Sequence, residues 1–511
     1  MKSQILEILE NGRMHVNGLH RCVVALFALL ACGAADGALA ERGGDGWVGR
    51  MPNLDGFAFQ ADGRLGIGVE GLDRATWTLA PALPALKALG IRKARIQSGW
   101  ARVEKTKGVY DWSELDAEVD GLVKAGVEPW ICLCYGNALY KTPAEGGEAL
   151  GVRMNPLTTS EGTAAWRRWV RALVTRYRDR VHAYEVWNEP NIEVFLYVPK
   201  GKNWADEYVE LTRITSEEVR SAAPDARVVV NTCDNYSCFW LFERGIGKYC
   251  DVCAFHGYEE IPERYDACVE NSFYGQIRRV APHVEFWCGE AGIPSAQPKG
   301  GQGALYWVKV DEDVQTRWMA RHLARHLGDP NLSHVSYFHL YDFMHFSRKY
   351  HYYYGILRGD YSRKPVFAAL QRVKAILDDG NCVPDRTITL LHPAGGDPFA
   401  VHSFLRHGEP LFAYVMPLPL NDNPAPKSVR VISILKKCED HWRDPVVVDV
   451  IDGSVRRAKF SGREVELPLS AHLCVVTEAT VLRPYMDIPA RKATQDRSAS
   501  GQYAGEDGKG H

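Results

Sequence analysis

Between residues 65 and 377, short apolar runs alternate with longer segments whose apolar positions recur at the helical period. The runs are 65–70, 93–97, 127–133, 181–188, 228–232, 252–256, 284–289 and 335–340. Helical patterns fall near 79–89, 113–125, 163–177, 205–222, 239–244, 272–279 and 314–327, with a closing one near 366–377. A run that is apolar on both faces suits a strand buried in a parallel sheet, and strict strand–helix alternation supplies the crossovers such a sheet needs. Eight units over this length predict an α/β fold, a (β/α)8 TIM barrel. A doubly wound open sheet is the runner-up solution.

Past residue 380 the texture changes to short strand-like runs at 386–391, 399–404, 410–416, 428–434, 446–451 and 473–477, separated by Gly, Pro, Asn and Asp. They predict a small C-terminal antiparallel β-sandwich over 380–484. Residues 41–64 read as an irregular lead-in able to add a strand to another sheet, 65–379 as the barrel, and the polar, Gly/Ser-rich 485–511 as a disordered tail. In the sandwich only Trp442 offers an obvious aromatic platform for a sugar.

Residues 1–40 read as an export signal. The apolar run from Cys22 to Ala35 follows Arg21 and is too short to span a bilayer, and Ala38-Leu39-Ala40 offers small residues to a signal peptidase. Met14 would give a more conventional start than Met1. Leu29-Leu30-Ala31-Cys32 resembles a lipoprotein box that would leave Cys32 lipidated. Either route implies a secreted, periplasmic or envelope-anchored protein without a membrane span.

Composition narrows the partners. The chain is 46% hydrophobic with a formal net charge of −2 and no dense Lys/Arg run, which argues against a nucleic acid or an anionic surface. Of 13 cysteines, 11 lie beyond the leader, several inside predicted strands, so at most one or two disulfides are expected. Cys250-Asp251-Val252-Cys253 with His256 nearby is a weak zinc pattern, since no second pair accompanies it. No metal or organic cofactor is called for.

The chemistry gathers at strand ends. The fourth run closes in Tyr184-Glu185-Val186-Trp187-Asn188-Glu189-Pro190-Asn191, a polar tip that packing does not require, stopped by a proline that cannot continue a ladder. Trp187 beside Glu189 would form an apolar wall, which favours a protonated carboxyl. The seventh run ends Trp287-Cys288-Gly289-Glu290. In a TIM barrel the C-terminal strand ends share one mouth, so Glu189 and Glu290 should meet there, and two facing carboxyl groups are the minimal apparatus for cleaving a glycosidic bond. Glu189 alone would more simply be a solvated loop acid or a helix cap.

Together these segments resemble the clan A glycoside hydrolases, of the family 39 and family 5-like kind. The resemblance implies a retaining glycosidase acting on a carbohydrate substrate, a β-linked oligo- or polysaccharide, with Glu189 as acid/base and Glu290 as nucleophile. It also implies Asn188 on the sugar 2-hydroxyl, Arg95 keeping the nucleophile ionised, and His256 and Tyr258 bonding the nucleophile or the sugar. Arg95 pairing with Glu185 and a merely structural His256 are the plainer readings of those two. The clan places a tryptophan after strand eight; here Phe338-His339-Leu340-Tyr341-Asp342-Phe343 has none, leaving Tyr341 or Phe343 to stand in. The competing functional classes are a glycan-binding protein on a glycosidase barrel and a zinc hydrolase built on Cys250, Cys253 and His256.

Overall fold

Eight parallel strands close on themselves in the computed structural model: β1 (Leu65–Gly68), β2 (Lys93–Gln97), β3 (Glu128–Leu133), β4 (Ala183–Val186), β5 (Arg227–Thr232), β6 (Val252–His256), β7 (Glu285–Glu290) and β8 (Leu332–Tyr337). The ring is sealed where β1 pairs with β8, Leu65 opposite Val335 and Ile67 opposite Tyr337. The structure describes residues 46–57, 63–142, 151–264, 267–296, 310–344, 351–385, 389–391, 399–419, 422, 429–435, 442–462, 464–468 and 470–490. The export signal, the Cys32 site and most of the predicted tail lie outside them. Met1–Gly46 and Trp47–His511 form separate units, and barrel and sandwich both belong to the second. Among the described residues no helix is long and apolar enough to cross a membrane.

The helices form for local reasons that also aim their faces. Ser160–Tyr177 starts at Thr159, whose hydroxyl accepts the Gly162 N–H at 2.9 Å. It buries Trp166, Trp169, Val170, Leu173, Val174 and Tyr177, a spacing that lays one stripe against the barrel. Asn203 and Asp311 cap Trp204–Ala222 and Glu312–Leu327 in the same way. Outward-facing strand residues such as Ile67, Ile96, Tyr184, Val230 and Phe255 meet this helix layer in one continuous core. Inside the barrel, Trp130, Ala183, Val229, Val252, Ala254 and Trp287 fill the lower layers, and charged side chains occupy the top.

The C-terminal region is a sandwich. A seven-stranded antiparallel sheet runs in the order Trp47–Arg50, Ser454–Arg457, Pro445–Asp449, Cys474–Glu478, Glu409–Val415, Ala400–Arg406, Cys382–Pro384. A second sheet holds Thr389–Leu391, Val429–Leu435, Glu464–Pro468 and Phe460–Ser461. Trp47–Arg50, from the lead-in, is therefore an edge strand of the C-terminal sheet. Phe412, Tyr414 and Val476 of the first sheet meet Val465 and Leu467 of the second around Trp442. That tryptophan is a core residue, not a sugar platform. Of the predicted tail, residues 485–490 lie among the described residues; there Tyr485 and Ile488 are buried, and the Tyr485 hydroxyl donates to the Ala375 carbonyl at 2.9 Å. Cys132, Cys134, Cys233, Cys238, Cys250, Cys253, Cys288, Cys382 and Cys474 are free thiols.

Candidate active site

Arg95, midway along β2 and pointing inward, organises the mouth of the barrel. Its Nε and Nη2 bond the two oxygens of Glu185 on β4 at 2.7 and 3.0 Å. Nη1 bonds Glu70 at 2.8 Å and Glu290 at 2.6 Å, and Nη2 reaches Asn188 Oδ1 at 2.8 Å. A guanidinium presents its donors in a fixed fork, so one fully buried arginine sets the positions of four acceptor side chains. Gly68 makes room for this, because a Cβ there would lie 2.3 Å from the Glu70 carboxylate.

Two local irregularities aim the glutamates. Along β7 the side chains alternate, Trp287 inward and Cys288 outward, so Glu290 would also point outward. A β-bulge prevents this: Phe255 pairs with Cys288 but the next residue, His256, pairs with Glu290, leaving Gly289 as the extra residue. At the end of β4, Trp187 and Glu189 both have positive φ, 62° and 46°, a conformation few non-glycine residues adopt. Asn231 on β5 holds that turn, its Oδ1 accepting the Glu189 N–H at 2.8 Å and its Nδ2 donating to the Trp187 carbonyl at 2.7 Å.

Glu189 and Glu290 face each other across His256. Imidazole Nδ1 lies 2.7 Å from Glu189 Oε1 and 3.8 Å from Glu290 Oε2. An oxygen of each glutamate and a His256 nitrogen all lie within 4.8 Å of one another. Tyr258 donates its hydroxyl to Glu290 Oε1, and Asn188 Nδ2 donates to the Tyr135 hydroxyl at 3.0 Å. The glutamate–histidine trio is close enough to chelate a cation, but both oxygens of Glu290 already accept bonds from Arg95 and Tyr258. Burial pushes the Glu290 carboxyl up; His256 and Arg95 pull it back, while Glu189 and Glu70 push it further, and the outcome is upward. Burial alone would lower His256, yet the two glutamates prevail and raise it. Glu70 goes the other way: burial opposes ionisation, but His339 and Arg95 outweigh it and bring Glu70 down to about 2.

Residues 91–251 match the model of the glycosyl hydrolases family 39. The chain is a glycoside hydrolase similar to family 39. Solved structures share its fold. A family 39 glycoside hydrolase from the gut symbiont Bacteroides cellulosilyticus WH2 is 16% identical, with 84% of this chain and 83% of that one covered at a TM-score of 0.60. A monomeric β-xylosidase from Caulobacter crescentus CB15 is 17% identical over 84% and 97%, at 0.55. A family 30 endoxylanase from Clostridium papyrosolvens C71 is 10% identical over 84% and 97%, at 0.53. No curated protein matches the sequence.

In this family 39-like site the structure brings together Arg95, Asn188, Glu189, His256, Tyr258 and Glu290. Trp187 does not join them. Its positive φ turns the ring outward, where it is fully buried against Trp166 and Tyr135 with Nε1 on the Phe195 carbonyl at 3.0 Å; it is not the wall beside Glu189. Tyr341 is also elsewhere, stacked on Trp77 at 5.0 Å and bonding the Gly359 carbonyl. The rings around Tyr258 are instead Phe338 and Tyr354, at 6.2 and 6.3 Å. Cys253 points outward on β6 while His256 points inward, so the Cys250, Cys253 and His256 zinc site does not form. Sequence reasoning misses Glu70 and Asn231. The signal for Glu70 is the one that finds Glu189 and Glu290, an acid closing an apolar strand; Asn231, a polar residue inside an apolar run, has a similar one.

Proposed function

We propose that this hydrolase cleaves β-linked oligo- or polysaccharides with retention of anomeric configuration. One observation carries this reading: carboxylate oxygens of Glu189 and Glu290 lie within 4.8 Å of each other. Retaining sites hold their carboxyl groups about 5–5.5 Å apart, whereas inverting sites need roughly 6.5–9.5 Å to admit a water. Glu290, fixed through both oxygens, attacks the anomeric carbon as the bond to the leaving oxygen breaks. Glu189 gives that oxygen its proton. In the second half Glu189 takes a proton from water, the water oxygen attacks the same carbon, and Glu290 leaves. Asn188, oriented by Arg95 and Tyr135, is placed to bond a sugar hydroxyl beside the reacting carbon.

The test is a panel of aryl β-glycosides, β-xylosides first because one fold neighbour is a β-xylosidase. NMR of the first-formed product should show the β anomer. Glu290→Gly should abolish turnover, and added azide should restore it with an inverted glycosyl azide. An α first product, or unchanged activity in Glu290→Gly, would overturn the mechanism. Binding without release across the whole panel would favour the glycan-binding alternative, which no observation supports. Export belongs to the same proposal, and amino-terminal sequencing of the mature protein beginning after Ala40, or at a lipidated Cys32, would bear it out.

A further inference from the structure

Behind the nucleophile strand, on the helix side of the barrel wall, lies a second convergence of donors that hydrolysis does not use. Cys288 sits two residues before Glu290, but the bulge at Gly289 leaves it facing outward toward the helix Glu312–Leu327. That helix sets His322 and His326 one turn apart on the face that meets it. All three side chains are buried. Cys288 Sγ and a nitrogen of each histidine lie within 4.8 Å of one another. The floor beneath them is Gly257, where a Cβ would lie 3.2 Å from Cys288 Sγ, 3.4 Å from His322 Cε1 and 3.4 Å from His326 Nε2. A side chain at 257 would crowd the trio.

The protons are arranged to suit a ligand. His326 Nδ1 donates to the His322 backbone carbonyl at 2.9 Å, which fixes Nε2 as the lone-pair nitrogen on the side facing Cys288. Metal-bound histidines are commonly oriented by such a bond. His322 stacks on Trp318 at 4.5 Å, yet neither of its ring nitrogens has a hydrogen-bond partner. Buried polar groups are rarely left so, and each exception asks for a cause. Stacking accounts for the ring's position but not for the convergence of sulfur and two imidazoles.

We propose that Cys288, His322 and His326 bind one divalent transition metal ion of the zinc class, tying β7 to the helix Glu312–Leu327 just behind the nucleophile. One thiolate and two imidazoles form a soft donor set that favours such ions over magnesium or calcium. As the metal–sulfur bond forms, Cys288 gives up its proton, so each ion bound releases one proton and leaves the bound site with a net single positive charge. The ion is structural: it touches no reacting atom, and Glu290 points to the opposite face of the sheet.

Full-length protein expressed with zinc and dialysed against metal-free buffer should retain close to one equivalent by mass spectrometry of the metal. Cys288→Ala and His322→Phe, the latter keeping the stack on Trp318, should fall to near zero. A Glu189→Gln/Glu290→Gln double variant should keep its ion. Protein produced with cobalt should show a thiolate-to-cobalt charge-transfer band that both wild type and the double variant display. Wild type without metal above the level of Cys288→Ala, or metal lost only from the double variant, would overturn the proposal. Should the two site variants fail to fold, the cobalt spectrum of wild type decides, because an absent sulfur band rejects the site.

Discussion

Asn231 touches neither reacting oxygen, yet it holds the backbone on which Glu189 stands. Both ends of its amide bond the strained turn, at Glu189 N and Trp187 O. Replacing Asn231 with Ala should therefore let that turn relax and misplace the acid/base residue. General acid–base catalysis contributes about 10²–10⁴-fold, so kcat should fall within that range while KM changes little; steady-state kinetics with a poor leaving group checks it. Tyr258 gives a prediction in pH. Glu290 must be ionised to attack, and its carboxyl is raised from its ordinary 4.5, so the acid limb of kcat/KM should lie above that value. Tyr258→Phe removes a donor to the charged form, and losing such a bond raises a carboxyl further. The limb should then move to higher pH by on the order of one unit. A shift to lower pH would contradict the assigned geometry. At this scale sequence reading reaches the residues that end strands, because strand ends in a barrel converge by topology. It misplaces Trp187, since a positive φ that reverses a side chain leaves no trace in a hydrophobic pattern.

Among elements, the cluster around Arg95 joins β1, β2, β4 and β7 at one depth. Glu70 is the member whose titration reads out that junction. Its folded value is about 2 against an ordinary 4.5, so its carboxylate binds protons less readily in the folded chain. The stability it contributes is present in full above pH 4.5 and is lost as pH falls toward 2. Urea midpoints measured across that window should drop steeply in wild type and less steeply in Glu70→Gln, whose stability is lower above pH 4.5 and converges on that of wild type toward pH 2. Equal slopes would mean that Glu70 titrates normally. The strand and helix succession is legible because runs apolar on both faces mark the strands and period 3.6 survives at each helix's buried face. Helix starts are less so: Ser160–Tyr177 and Glu312–Leu327 begin two or three residues before the apolar stripe, at caps whose role is hydrogen bonding. The bulge at Gly289 is invisible in the pattern, although without it Glu290 would face the helices.

At the scale of the whole molecule, barrel and sandwich share one hydrophobic core that runs from Leu377 and Val373 to Phe404, Leu411 and Val475. Arg406 on the sandwich strand Ala400–Arg406 crosses the join. It donates to the Ala375 and Ile376 carbonyls at 2.6 and 3.1 Å, pairs with Asp379, and bonds the Tyr485 hydroxyl at 2.6 Å. The two carbonyls belong to the last turn of the closing barrel helix Pro365–Leu377, where a cation completes groups the helix cannot satisfy itself and opposes its dipole. Removing one partner of a buried, hydrogen-bonded ion pair costs on the order of 3–5 kcal/mol. Arg406→Ala should accordingly lower stability by that amount although it bonds none of the catalytic residues. Because the core is continuous, the loss should appear in both halves together: thermal transitions followed by tryptophan fluorescence, dominated by the barrel, and by Tyr485-region hydrogen exchange should move by the same increment. A chain ending at residue 379 would leave Val373 and Leu377 without their covering strands and should be recovered only as aggregate. Two separate transitions in the intact chain, or a soluble, active barrel ending at 379, would show that the sandwich is an appendage; the shared core and the Arg406 bonds to the closing helix argue that barrel and sandwich unfold as one body.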